Sequence, residues 1–253
     1  MTGIFDLTGK VAVVTGASSG LGARFTEVLA EHGAKVALVA RRADRLGALA
    51  KKIGEERSLV VSCDVVDTAA VKKAVAGVVK HFGKIDILVN CAGVATAMPS
   101  AQHSDSEWSR VIDTNLTATF VMCREVGKEM LKNNYGKIIN LGSIHSRVTM
   151  PGLPIAAYCA SKGGVLMLTE ALAVEWANDG ITVNAIGPSY FPSEMTGDVL
   201  ADPKFLKKVQ EMCPMGRAGK EGELDGALLY FASDASSFTT GQLLNVDGGW
   251  TAV

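Results

Sequence analysis

The stretch Val11-Ala12-Val13-Val14-Thr15-Gly16-Ala17-Ser18-Ser19-Gly20-Leu21-Gly22 decides the fold. Its opening run is apolar and rich in valine, with no polar alternation. A strand of that kind is covered on both faces, as in a parallel sheet. Glycines follow at once, and then a helical pattern with Leu21, Phe25, Val28 and Leu29 on one side, stopped by Gly33 after His32. Strand, glycine-rich turn and helix N-terminus together make a phosphate cradle. The glycines let the backbone approach a pyrophosphate, and the first helical turn offers free N–H groups and the positive end of the dipole. The glycine spacing departs from G-x-G-x-x-G, but the context is the same. Gly16, Ser18, Ser19, Leu21 and Gly22 are therefore read as dinucleotide contacts; the competing reading is a tight turn without a ligand.

Outward from this unit, strand patterns at 35–40, 58–63, 85–90, 137–142, 181–186 and 243–246 alternate with helical ones. The helices are expected at about 43–53, 67–82, 107–132, 157–178 and 221–232. Such alternation predicts an α/β, doubly wound Rossmann fold: a parallel sheet of about seven strands with helices on both faces. No linker, repeat or low-complexity tract interrupts it, so residues 1–253 read as a single dinucleotide-binding and catalytic domain. The rhythm breaks only at 188–214, which holds Pro188, Pro192, Pro203 and Pro214 and one short helical pattern near 203–212. A stretch of that length in a compact domain is typically a lid or binding loop, here a substrate loop.

The second strand ends at Ala40. An acid there would hold the 2'-hydroxyl of an unphosphorylated coenzyme. This chain has Arg41 and Arg42 instead. Guanidinium groups suit a 2'-phosphate, so NADP(H) is the preferred cofactor, with NAD(H) admitted because Ser19 brings no second cation. Surface arginines without a ligand are the competing reading.

Tyr158 and Lys162 stand four apart on one predicted helix and share a face. A tyrosine base must lose a proton whose ordinary pKa is about 10, and a neighbouring ammonium is expected to ease that loss. Ser143, at the end of the fifth strand, can meet a substrate oxygen. Asn115 can hold a water or a backbone carbonyl near the lysine.

Lys and Arg total 25 against 26 Asp and Glu, a formal net charge of -1. That balance argues against nucleic acid as a partner. The five cysteines form no Cys-x-x-Cys pair, and the histidines at 32, 81, 103 and 145 do not cluster, so neither a disulfide framework nor a metal site is indicated. The opening MTGIFDLTGK lacks the pattern of a signal peptide, and no apolar run nears the roughly 18 residues of a membrane span. A cytoplasmic location is expected. His145 and Arg147 lie where a substrate could meet them, although a structural histidine and a solvated arginine are the plainer readings.

These motifs, in this order, resemble the short-chain dehydrogenase/reductase superfamily, in the group whose members, like this chain's 253 residues, are about 250 long. The resemblance covers essentially the whole chain. The family's T-G-x-x-x-G-x-G corresponds to Thr15 through Gly22, its Asn-Asn-Ala-Gly to Asn90-Cys91-Ala92-Gly93, and its Pro-Gly to Pro188-Ser189. Its Asn, Ser, Tyr and Lys tetrad corresponds to Asn115, Ser143, Tyr158 and Lys162. The resemblance implies further coenzyme contacts at Asp64, Val65, Asn90, Ala92, Gly93, Pro188, Tyr190 and Ser193, besides Tyr158 and Lys162. Cys91 and Ser189 depart from the family pattern without removing a catalytic group.

The implied reaction interconverts a secondary alcohol and a ketone, with Tyr158 as acid/base, Ser143 binding the oxygen and Lys162 assisting. Phe5 to Lys10 and Cys213 to Arg217 are similar to gluconate 5-dehydrogenase-like members, which implies a polyol, sugar acid or keto acid as the small-molecule substrate. A 3-oxoacyl-[acyl-carrier-protein] reductase is the alternative, and a non-catalytic cofactor-binding protein a third reading. Helical patterns around Phe120–Met130 and Val165–Trp176 are apolar on more than one side, which suggests a partner helix. Family members commonly pair across these helices, so a homotetramer is expected.

Overall fold

Seven parallel strands form one sheet in the order β3-β2-β1-β4-β5-β6-β7. The computed structural model describes residues 3–253. The strands are β1 (Val11–Thr15), β2 (Lys35–Ala40), β3 (Ser58–Ser62), β4 (Ile87–Asn90), β5 (Gly136–Leu141), β6 (Ile181–Pro188) and β7 (Leu243–Val246). The helices are α1 (Gly20–Glu31), α2 (Ala43–Ile53), α3 (Thr68–Phe82), α4 (Asp105–Ile112), α5 (Ala118–Asn133), α6 (Ala156–Trp176), α7 (Gly197–Ala201), α8 (Pro203–Met212) and α9 (Asp225–Ala232). The expected doubly wound Rossmann fold is the one observed.

Strand alternation sends the β1 side chains to opposite faces. Ala12 and Val14 join Phe25, Val28 and Leu29 of α1, Leu46 of α2 and Leu228 and Phe231 of α9 in one core. Val11 and Val13 join Val71 and Val75 of α3, Met122 and Val126 of α5, and Leu172 and Trp176 of α6 in the other. Both faces are therefore buried, which is why the run has no polar alternation. The strand order reverses between β1 and β4, where Thr15 registers with Asn90. Ligands of open α/β sheets bind at such a switch point.

Several boundaries differ from the sequence expectation. The helix expected over 107–132 is two helices joined by a π-helical turn at Asp113–Thr117. Asn115 sits in that turn, where its side chain is committed to a neighbouring loop. Strand β4 starts at Ile87 because Asp86 is used otherwise: its carboxylate accepts from the Val11 amide at 2.8 Å. Strand β6 runs on to Pro188, since Ala185 to Pro188 pair with Leu243 to Val246. Helix α9 starts later than expected, at Asp225. The stretch 188–214 is largely helical, with α7 added to the expected α8. It packs over a third apolar cluster that includes Ile144, Met150, Tyr190 and Trp250. Asp67 caps α3 by accepting from the amides of Ala69 and Ala70.

The five cysteines are free thiols. Among the described residues, no helix is long and apolar enough to cross a membrane.

Candidate active site

A cleft of about 810 Å³ opens at the carboxyl ends of the central strands. Its floor is the glycine-rich turn. Gly16 has φ +68°, and a Cβ there would stand 2.9 Å from the Ala92 backbone. A side chain is thus excluded both by conformation and by space. At Gly22 a Cβ would run into the Gly16 carbonyl. Thr15 fixes the turn against the one after β4: its hydroxyl accepts from the amides of Cys91 at 3.0 Å and Ala92 at 3.1 Å. Ser19, at the N-cap of α1, makes no side-chain cap bond, so its hydroxyl does not claim the helix's first amides. These features fit a dinucleotide: a turn with glycines where the backbone is approached most closely, beside a helix N-terminus, in an open cleft.

At one end lie the arginines. Arg42 donates to the hydroxyl of Ser18 at 3.0 Å and of Ser19 at 2.8 Å, and to the carboxylate of Glu194 at 3.0 Å. Arg41 is the freer of the two, 76% exposed, with a guanidinium nitrogen 4.0 Å from the Asp64 carboxylate. Asp64 also accepts from the Val66 amide at 3.1 Å. Val65 is buried on the cleft wall.

At the other end Ser143, Tyr158 and Lys162 line the same cleft. Ser143 caps a short 3-10 turn and accepts from the His145 amide at 3.1 Å. Burial pushes the Tyr158 phenol up to about 12, and a hydrogen bond with Ser143 acts in the opposite direction. Burial also lowers Lys162 to about 8. Its ammonium donates to the Leu141 carbonyl at 2.5 Å and stands 5.7 Å from the centre of the Tyr158 ring. The sequence leads one to expect an ammonium that eases ionisation of the phenol. In this geometry burial governs the phenol instead, and the lysine points at the Leu141 carbonyl.

Asn115 is buried behind them. Its side-chain oxygen accepts from the Val94 amide at 2.8 Å, and its amide donates to the Val94 carbonyl at 2.9 Å and the Ser161 hydroxyl at 3.0 Å. It clamps the loop after Gly93 to α6, and π-helical turns often mark functional sites.

Gly16, Ser18, Ser19, Leu21, Gly22, Arg41, Arg42, Asp64, Val65, Ala92, Gly93, Pro188 and Ser193 all line the cleft. Two expected contacts do not. Asn90 points away, between β4 and β5, donating to Asn140 at 2.9 Å. Tyr190 turns away from the cleft, 3.1 Å from His145 Nε2 and packed on Phe205 and Trp250. Phe191 lines the cleft in its place, as do Val66, Arg110, Glu194 and Thr196. Past the end of β6 at Pro188, Ser189, Phe191 and Ser193 line the cleft while Tyr190 is buried in the third apolar cluster. His145 is buried, with Nδ1 3.0 Å from the Val148 carbonyl, and burial lowers its pKa. Arg147 is exposed.

Comparison with known proteins agrees with this geometry. The family model described as enoyl-(acyl carrier protein) reductase matches residues 16–251. A gluconate 5-dehydrogenase of Gluconobacter oxydans is 38% identical over 98% of this chain and 97% of that protein. A D-threitol dehydrogenase of Mycolicibacterium smegmatis is 40% identical over 98% of this chain and 95% of that protein. Among solved structures, a gluconate 5-dehydrogenase from Burkholderia cenocepacia in complex with NADP and tartrate superimposes with a TM-score of 0.95 at 34% identity, covering 99% of this chain and 98% of that one. With its parallel sheet, its glycine-rich cradle and these relatives along nearly its whole length, the chain belongs to the short-chain dehydrogenase/reductase superfamily of oxidoreductases.

Proposed function

We propose that this protein interconverts a secondary alcohol and a ketone of a sugar acid or polyol, using NADP(H) in preference to NAD(H). The observation that carries the reading is that Ser143, Tyr158 and Lys162 share one cleft with the glycine-rich turn. When bound, the nicotinamide coenzyme supplies or accepts the hydride. The protein's part is to hold the substrate oxygen and move one proton. In reduction, the hydroxyls of Ser143 and Tyr158 bind the carbonyl oxygen, and Tyr158 gives it a proton as negative charge develops. A phenol held at about 12 is protonated at neutral pH and is ready for that step. In oxidation Tyr158 accepts the alcohol proton instead. Lys162, still charged below about 8, stabilises the phenolate formed when Tyr158 gives up its proton. Asn115 holds the Val94 backbone so that this wall keeps its shape.

The substrate class rests on the sugar-acid and polyol dehydrogenases among the relatives. The coenzyme preference rests on Arg41 and Arg42, on the lack of an acid at Ala40, and on the NADP-bound neighbour. Residues 1–253 act as one catalytic domain, assembled as a homotetramer in the cytoplasm. The test is a spectrophotometric screen with both coenzymes against gluconate, its keto acids, small polyols and 3-oxoacyl thioesters. Turnover of a sugar acid or polyol, abolished in Tyr158→Phe, is the expected result. Turnover confined to the thioesters would replace this reading by an acyl reductase, and none with any carbonyl or alcohol would refute it.

A further inference from the structure

Glu194 reaches across the mouth of the cleft. It lies between β6 and α7, yet its carboxylate pairs with Arg42 at 3.0 Å and with Arg45 on α2. Arg42 is at the same time held by Ser18 and Ser19 of the glycine-rich turn. The segment carrying Glu194 lies directly on that turn: a Cβ at Gly20 would stand 3.3 Å from the Ser193 Cβ. It is also internally tied. The hydroxyls of Ser193 and Thr196 are 2.9 Å apart, and the Gly197 amide donates to the Ser193 carbonyl at 2.8 Å. Residues 193–197 therefore form a short, stiff strap that joins the two banks of the cleft through one carboxylate.

We propose that Glu194 is an internal competitor for a coenzyme 2'-phosphate: it occupies Arg42 and Arg45, and a phosphate that takes these guanidiniums releases the strap. The inference rests on the coenzyme reading given above. Two cations face one carboxylate in this cluster, so its charge is not balanced and a phosphate is welcome there. Both anions use the same guanidinium donors, so they exclude one another. An unphosphorylated ribose makes no such demand and leaves the strap closed. Coenzyme choice and strap position are thus linked, because only one of the two coenzymes interacts differently with the open and closed states. The neighbouring guanidiniums hold the Glu194 carboxyl down to about 2, so it is an anion at every working pH.

The experiment compares wild type with Glu194→Gln, without substrate. Calorimetric titration with NADP+ and NAD+ reads the competition, and hydrogen exchange over 193–202 reads the strap. The variant is expected to bind NADP+ about five- to tenfold more tightly and NAD+ within about twofold of wild type. Its strap is expected to exchange at least about fivefold faster without coenzyme, and NADP+ but not NAD+ is expected to speed the wild-type strap. Equal changes for both coenzymes, or no change, would overturn the competition. Unchanged exchange in the coenzyme-free variant would overturn the strap. If wild type binds neither coenzyme, the coenzyme reading itself fails and the competition with it, while the coenzyme-free exchange comparison still decides whether Glu194 holds the segment.

Discussion

The Lys162 ammonium donates to the carbonyl of Leu141 at 2.5 Å, inside the protein and at the end of β5. Its charge is carried at a cost. Burial lowers its pKa from 10.5 to about 8, a change of about 3 kcal/mol at 1.36 kcal/mol per unit. The folded value is the depressed one. Below about pH 8 both folded and unfolded chains hold the proton and the penalty is fully present; above about 10.5 neither does and it is gone. Wild-type stability is therefore expected to rise between these values relative to Lys162→Met. At neutral pH the variant is expected to be as stable as wild type or more so, by up to about 2 kcal/mol after loss of the hydrogen bond to Leu141. It should nonetheless be almost inactive. Urea denaturation at pH 7 and pH 9.5 checks both signs; a variant destabilised by more than about 1 kcal/mol at pH 7 would contradict the account.

Tyr158→Phe removes the one phenol on the catalytic wall. General acid catalysis contributes about 10²- to 10⁴-fold, so kcat is expected to fall by at least a hundredfold while coenzyme affinity stays within about threefold. In reduction, wild-type activity should hold up to about pH 8 and fall above it, as Lys162 loses its charge while Tyr158 keeps its proton. Steady-state rates from pH 6 to 10, with a coenzyme titration of the variant, read both. A variant retaining more than about a tenth of the wild-type rate would remove Tyr158 from the proton step.

Much of this was legible in the chain. Val11 to Thr15 is apolar at every position but one, which is a direct imprint of helices on both faces of the sheet. The placing of Tyr158 and Lys162 together on the cleft was legible because they are bound by a helical spacing that no loop can alter. The π-helical turn around Asn115 was not, since Asp113 to Thr117 is compatible with plain helix and the groups that engage the Asn115 side chain, the Val94 backbone and the Ser161 hydroxyl, are distant in sequence. Asn90 is a related case. It ends a strand beside the cleft, but its side chain is claimed by Asn140 on the neighbouring strand. Glu194 gave no local sign at all, as its partners stand 152 and 149 residues away.

Helix α6 leaves Val174 82% and Met167 61% exposed, seven residues apart and so on one face, and α5 leaves Phe120 41% exposed. Apolar side chains so placed fit a face shared between subunits. Val174→Glu buries a charge in that face if it is an interface, so it is expected to shift the sedimenting species from tetramer toward dimer or monomer at micromolar concentration, with little change in monomer stability. A wild-type protein that sediments as a monomer would refute the assembly outright.

Arg41 and Arg42 are neighbours with different duties, and that difference separates two ways of losing a coenzyme. Arg42 is tied to Ser18 and Ser19, so Arg42→Ala loosens the glycine-rich turn and is expected to weaken NADP(H) and NAD(H) together, NADP(H) more. Arg41 carries no such tie and is mostly exposed. Its contribution to a 2'-phosphate is one charge-assisted contact, about 1.5–3 kcal/mol before screening. At ordinary ionic strength Arg41→Ala is thus expected to lower kcat/KM with NADP(H) by about tenfold and with NAD(H) by less than about twofold. The preference of the wild type, expected at tenfold or more for NADP(H), should shrink toward parity and be weaker in high salt. Initial rates with both coenzymes at low and high salt decide it. An Arg41→Ala enzyme that loses both activities equally would show that the guanidinium supports the adenine rather than selecting the phosphate. A wild type that uses NAD(H) as well as NADP(H) would remove the preference itself.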